Sequence, residues 1–172
     1  MKHIMLDLET LGNNPNSVIV AIGAVAFDSN GITDEFYCAV DSESCVQSGL
    51  TMDASTVEWW MEQSVEARAV FADENKVSIQ QALLNFSEFC GKDDFVWGNG
   101  ASFDNVILSN AYKKCRLPQP WMFWNDRCYR TIKSIYRNLA LQRIGTYHNA
   151  LHDAESQARH LIEINKVHGF IL

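Results

Sequence analysis

The sequence predicts an α/β domain, a mixed sheet of about five strands flanked by helices. Three observations predict it. Residues 2–41 hold three runs of strand character joined by turn signals. From residue 55 onward the apolar residues recur at helical spacing. Short apolar runs then interrupt those helical segments, as strands between helices would.

The elements follow in chain order. Residues 2–9 read as a first strand, and residues 17–28 (SVIVAIGAVAFD), rich in β-branched side chains, as a second. Asn13-Asn14-Pro15-Asn16 supplies the turn between them. Asn30-Gly31 is a hairpin signal leading into a third strand near 33–41, which completes an antiparallel meander. Ser55 with Glu58 fits a capping box that starts a helix running through Glu62. A second helix covers 78–90, with Gly91 at its end. Residues 95–98 (FVWG) form a short buried strand, and a helix over 103–115 follows, with Ser102 placed to cap it. Residues 121–126 read as a fifth strand, and helices near 127–140 and 150–167 complete the chain.

A chain of 172 residues suits one domain, 1–172, large enough for a real core. Its 47% hydrophobic and 20% charged residues are ordinary for a globular protein. No apolar run approaches a membrane span. The opening MKHIMLDLET puts acids where a signal peptide needs an apolar stretch. Five cysteines with no CxxC pair read as reduced thiols in a cytoplasm. The net charge of −7 weighs against a protein that coats DNA stoichiometrically. It does not exclude an enzyme that takes one chain end into a cleft, where bound cations reverse the local field.

Four acids and one histidine carry the chemical signal. Asp7 and Glu9 alternate with core-like Ile4, Leu6 and Leu8, so both carboxylates leave one face of a strand, ~7 Å apart. Alone, that pair suits a solvated strand edge equally well. Asp104 heads the stripe Asp104, Ile107, Leu108, Ala111, Cys115, an acid on an otherwise apolar helix face. A helix N-terminal acid favoured by the dipole is the competing explanation. His148 and Asp153 would point ~140° apart on one helix. They meet only if His148 lies in a loop before the helix, and Gly145-Thr146 makes that loop credible. His152 is assigned to the surface, a cap or a supporting role. Together these residue types suit hydrolysis of a phosphodiester on two divalent cations. Carboxylate oxygens favour Mg²⁺ or Mn²⁺, and a histidine can accept the proton of the attacking water.

The motifs Asp7-Leu8-Glu9-Thr10, Ser102-Phe103-Asp104 and His148-x4-Asp153, in that order, resemble those of the DEDDh 3′–5′ exonucleases of the ribonuclease H-like (DnaQ-like) superfamily. The sister group would carry a tyrosine where Asn149 stands. The segments Ser55-Thr56-Val57-Glu58-Trp59-Trp60 and Phe123-Trp124-Asn125-Asp126-Arg127 are similar to the phage exonuclease A, exoribonuclease AS and exonuclease VIII-like branch. The resemblance implies a ribonuclease H-like sheet, two Mg²⁺ or Mn²⁺, and release of nucleoside 5′-monophosphates from the 3′ end of single-stranded DNA or RNA. It implies Asp7, Glu9, Asp104 and Asp153 as metal ligands and His148 as general base, and it suggests a homodimer. Thr10 and Leu11 follow the first motif where relatives hold the terminal nucleotide. Trp59, Trp60 and Phe103 are candidates to stack on bases. Adjacent tryptophans on a helix point ~100° apart, so one of the two belongs to the core. Trp60 stands with Thr10, Leu11, Phe103 and Arg127 as the candidate substrate contacts, and Arg130 is a further phosphate candidate. The alternative function is a non-catalytic or proofreading-type module that holds a 3′ end within a larger assembly.

Overall fold

The computed structural model describes residues 2–100 and 102–169, so the extreme ends of the expected 1–172 domain lie outside the described residues. Strands β1 (His3–Thr10), β2 (Ile19–Phe27) and β3 (Ile32–Ala39) form the expected antiparallel meander. Strands β4 (Phe95–Gly98) and β5 (Asp126–Cys128) extend the sheet on the other side of β1 by parallel pairing. The order is β3-β2-β1-β4-β5, which makes β1 the central strand and not an edge.

Helices cover both faces, as the wholly buried β2 requires. They are α1 (Ser42–Gln47), α2 (Ala54–Met61), α3 (Val65–Arg68), α4 (Ile79–Phe89), α5 (Asp104–Lys114), α6 (Tyr129–Ile135) and α7 (Ala150–His168). Ile4, Leu6 and Leu8 pack on one side with Leu83 and Phe86 of α4 and Ile107 and Leu108 of α5. Met5, Val25 and Trp97 pack on the other with Ala154, Ala158 and Leu161 of α7. Side chains alternate along a strand, so Asp7 and Glu9 leave β1 on the Met5 side, toward α7. None of the helices among the described residues is long and apolar enough to cross a membrane.

Several local expectations are corrected. The capping box at Ser55 does not form: α2 starts at Ala54 behind Asp53. The Asp53 carboxylate instead accepts hydrogen bonds from the Asn13 backbone and the Asn14 side chain, tying down the loop after β1. Ser102 does not cap α5, because Phe103 occupies that position. The fifth strand is not 121–126. Trp121 turns into the core, a 3₁₀ turn spans Phe123–Asn125, and pairing begins only where Asp126 meets Val96. The helix expected over 127–140 ends at Ile135, and the chain then runs as a loop to Asn149. Helices α1 and α3 were not expected. Each is short and buries a single residue, Cys45 or Ala67, so neither leaves an apolar period to read.

Candidate active site

The site is built at the end of β1. Its neighbour Gly23 stands directly opposite Asp7 on β2. A Cβ at Gly23 would overlap the Ala150 carbonyl and the Leu151 nitrogen. The missing side chain lets the first turn of α7 lie on the sheet, and that turn carries Asp153. Gln157 comes one helical turn later, and its Nε2 donates to Asp7 Oδ1 at 2.8 Å.

His148 lies in the loop just before α7, as the spacing requires, with a left-handed backbone (φ 59°). Asn149 caps the helix by accepting from the His152 N–H at 3.1 Å. The His148 N–H donates to Asp153 Oδ2 at 3.2 Å. His152 is a support: its Nδ1 accepts from the Thr146 N–H at 3.0 Å. Its ring also fills the space beside Gly145, which itself takes φ +67°. On the opposite side, α5 presents Asp104 in its first turn. Asp104 accepts two backbone hydrogen bonds, from Leu8 and Asn99, each 3.1 Å. The buried acid thus binds the end of β1 to the end of β4.

All five candidates, Asp7, Glu9, Asp104, His148 and Asp153, line one open cleft of about 560 Å³. Thr10, Trp60 and Phe103 line it too. Leu11 does not: its side chain is buried in the core, and its backbone pairs with Val18 and Asp53. Arg127 does not either, because its guanidinium lies over the Phe95 ring and donates to the Trp124 and Asp126 carbonyls. Trp60 is the core member of the tryptophan pair. It is 3% exposed, and its Nε1 donates to the Thr10 carbonyl at 2.8 Å. Trp59 is the open one, 40% exposed, with its ring edge-on to His148 at 4.9 Å between centroids. Trp60 therefore fixes the backbone at Thr10, while Trp59 offers a ring to the cleft.

Sequence reasoning missed Gln157, Arg143 and Asn99, which also line the cleft. Gln157 was findable, since it stands four residues after Asp153 on the same helical face. Arg143 sits in an irregular loop where no period applies, yet its guanidinium pairs with the Asp153 carboxylate.

The electrostatics are those of crowded anions. Burial pushes the Asp7 carboxyl well above the usual range, and repulsion from Asp104, Glu9 and Asp153 adds to it, while the Gln157 hydrogen bond opposes. Burial, then Asp153 and Asp104, raise Glu9 to about 8. Burial raises Asp104 to about 6, opposed by its backbone donors and by Arg130. Such a cluster is costly as bare anions and suited to a cation. Atoms of Glu9, His148 and Asp153 that could bind a metal all lie within 4.8 Å of one another. Asp7 and Asp104 line the same cleft outside that trio, and the carboxylate oxygens suit a hard divalent ion.

A family model described as the 3′-5′ exoribonuclease Rv2179c-like domain matches residues 2–165. An exodeoxyribonuclease of Enterobacteria phage T4 is 26% identical over 160 residues, covering 76% of this chain and 70% of the phage protein. The nuclease domain of 3′hExo, a DEDDh family member bound to rAMP, superposes with a TM-score of 0.66 at 15% identity, over 97% of this chain and 92% of that one. S. pombe Pop2p in its Mg²⁺- and Mn²⁺-bound form gives 0.67 at 15% identity, over 97% and 84%.

Proposed function

Because the chain belongs to the Rv2179c-like 3′-5′ exoribonuclease family and is a DEDDh exonuclease of ribonuclease H-like fold, we propose that it removes nucleotides one at a time from the 3′ end of single-stranded DNA or RNA. The observation that carries the reading is the convergence of four carboxylates and one imidazole on a single cleft at the end of β1. The family description names RNA and the phage relative's name is that of a DNase, so substrates of either sugar are included.

Asp7, Glu9, Asp104 and Asp153 would hold two divalent cations, Mg²⁺ or Mn²⁺. When bound, these would neutralise the phosphate and ease deprotonation of the hydrolytic water. The protein groups have separate tasks. His148, in the loop at the mouth of the cleft, accepts the water's proton as the water oxygen bonds to phosphorus. The bond from phosphorus to the 3′ oxygen breaks, that oxygen takes up a proton, and the products are a nucleoside 5′-monophosphate and a strand one residue shorter. Gln157 holds Asp7 in place through its 2.8 Å hydrogen bond. Trp59 and Phe103 offer rings to the terminal base, and Arg130 and Arg143 offer guanidinium groups to its phosphate. A second copy of the chain belongs to the same reading. Exposed apolar Met61 and Val65, 68% and 71% accessible, give it a surface, and sedimentation at several concentrations tests it.

The holding-module alternative lacks support, since every group that the hydrolysis needs faces the cleft. The deciding experiment incubates purified protein with 5′-labelled single-stranded DNA and RNA oligomers, with Mg²⁺, with Mn²⁺ or with chelator. Stepwise shortening and 5′-monophosphates only with a cation are expected. His148→Ala should slow release by ~10²–10⁴-fold. Cation-independent products, internal cuts or a His148→Ala variant of unchanged rate would each contradict the mechanism.

A further inference from the structure

A second groove, of about 520 Å³, lies beside the cleft. Lys133, Arg137, Leu139, Arg143 and Tyr147 are among its lining residues. Three of its seven lining residues are cations, in a chain whose net charge is −7. The two concavities are continuous at Arg143, which lines both. Its guanidinium lies 4.1 Å from the centre of the Tyr147 ring, and Tyr147 in turn is 5.9 Å, ring to ring, from His148. The groove therefore leads directly away from the position of the general base.

Arg143 is paired with Asp153, but the other two cations are not held by a carboxylate. The ion pairs among the described residues are Arg143 with Asp153 and Arg159 with Glu155, so Lys133 and Arg137 face no carboxylate at pairing distance. Its wall is held. His160 is buried on α7, where its Nδ1 meets the Tyr129 hydroxyl at 2.6 Å and its Nε2 meets the Leu139 carbonyl at 3.1 Å. The carbonyl can only accept, so Nε2 carries the proton and Nδ1 accepts from the tyrosine. This clamp ties the loop after α6 to the helix that carries Asp153.

We propose that this groove receives the sugar–phosphate backbone upstream of the terminal nucleotide, with Lys133 and Arg137 on successive phosphates. Tyr147, 57% exposed, offers its ring to the intervening base. The inference rests on the exonuclease reading of the neighbouring cleft. Cations that track a backbone beside an aromatic platform are the elements of single-strand binding. The arrangement also answers a problem of charge. A chain of net −7 repels a polyanion at long range, so any length-dependent affinity has to come from a local basic track.

The consequence is a dependence on substrate length. A dinucleotide fills the cleft alone, whereas a decanucleotide also reaches the groove. The test compares kcat/KM for single-stranded di- and decanucleotides in wild type and in a Lys133→Gln/Arg137→Gln variant, over a range of salt. The variant should lose about 10-fold on the decamer, through KM, and keep the dinucleotide rate within about twofold. Its slope of log kcat/KM against log salt should be shallower by about 1.4 for the decamer. Should the double variant melt below wild type, the exposed Arg137→Gln change alone carries the test, with a slope change of about 0.7. Equal losses on both lengths, or none on either, would overturn the groove while leaving the exonuclease reading intact. A wild type that shortens neither substrate would overturn both.

Discussion

Glu9 is the carboxylate in the cleft whose energetics are simplest, because no described residue donates a hydrogen bond to it. Burial and the neighbouring acids act on it unopposed and raise its pKa from 4.5 to about 8. Between those values the folded protein binds more protons than the unfolded chain, so stability falls as pH rises from about 4.5 to about 8. In chelator, the melting temperature should therefore drop across that window, and Glu9→Gln should flatten the drop while raising the value at pH 8. Each kcal/mol relieved corresponds to about 2–4 °C. A Glu9→Gln protein with the wild-type pH profile would refute the assignment. Burial raises Asp104 too, to about 6, yet its removal should act in the opposite sense. Repulsion alone says that removing any of these acids stabilises the fold, but Asp104 accepts the Leu8 and Asn99 N–H groups. Asp104→Ala strands the buried Leu8 donor, at about 1–3 kcal/mol, and the part-buried Asn99 donor, and should melt below Asp104→Asn, whose one carbonyl oxygen can still accept from one of the two. The types of these residues and their order were legible in the sequence, since charge placed among apolar periods is conspicuous. Their partners were not. Whether Trp59 or Trp60 faces the cleft, and that Leu11 and Arg127 turn from it, depends on packing that no local spacing encodes.

Elements set the distances that the residues need. Helix α7 reaches the sheet only because β2 has a glycine opposite Asp7, and the whole relation of Asp153 and His148 to β1 depends on that approach. Gly23→Ala should lift the first turn of α7 from β2. The expected cost is about 1–3 kcal/mol of stability, as for overpacking elsewhere, with a loss of cleavage larger than this instability explains. Melting curves and turnover of the same preparation check it, and wild-type turnover from a destabilised Gly23→Ala protein would show that the approach is not needed. The meander and β4 were readable as β-branched or apolar runs bounded by turn signals, and α4 and α7 from a period of 3.6, as with Ile79, Ala82, Leu83 and Phe86 of α4. The elements misread have neither a period nor an apolar run. Strand β5 has three residues and is defined by its partner β4, and the loop from 136 to 149 is shaped by the His160 clamp and the Gly145 turn. Gly23 looks like an ordinary break in an apolar strand until the helix above it is placed.

At the scale of the whole molecule, net charge and site charge have to be separated. The chain carries −7 overall, so any salt screens its self-repulsion and stabilises it slightly. A divalent ion held by the carboxylate cluster acts differently, because it binds the folded state and not the dispersed acids of the unfolded chain. At 100 times its Kd it adds about 2.7 kcal/mol, or about 5–10 °C at the scale above. Mg²⁺ or Mn²⁺ should therefore raise the melting temperature by that order in a background of physiological NaCl, where further NaCl at matched ionic strength does little. Glu9→Gln provides the internal control. Its metal-free form should start out more stable, having lost the unopposed anion, and on the proposed assignment of Glu9 as a ligand its gain from the divalent ion should be smaller. The two changes come from one cause, so they should appear together. A variant that is stabilised in chelator yet keeps the full response to Mg²⁺ would place the cation away from Glu9, and a wild type that responds to NaCl as strongly as to Mg²⁺ would reduce the effect to general screening.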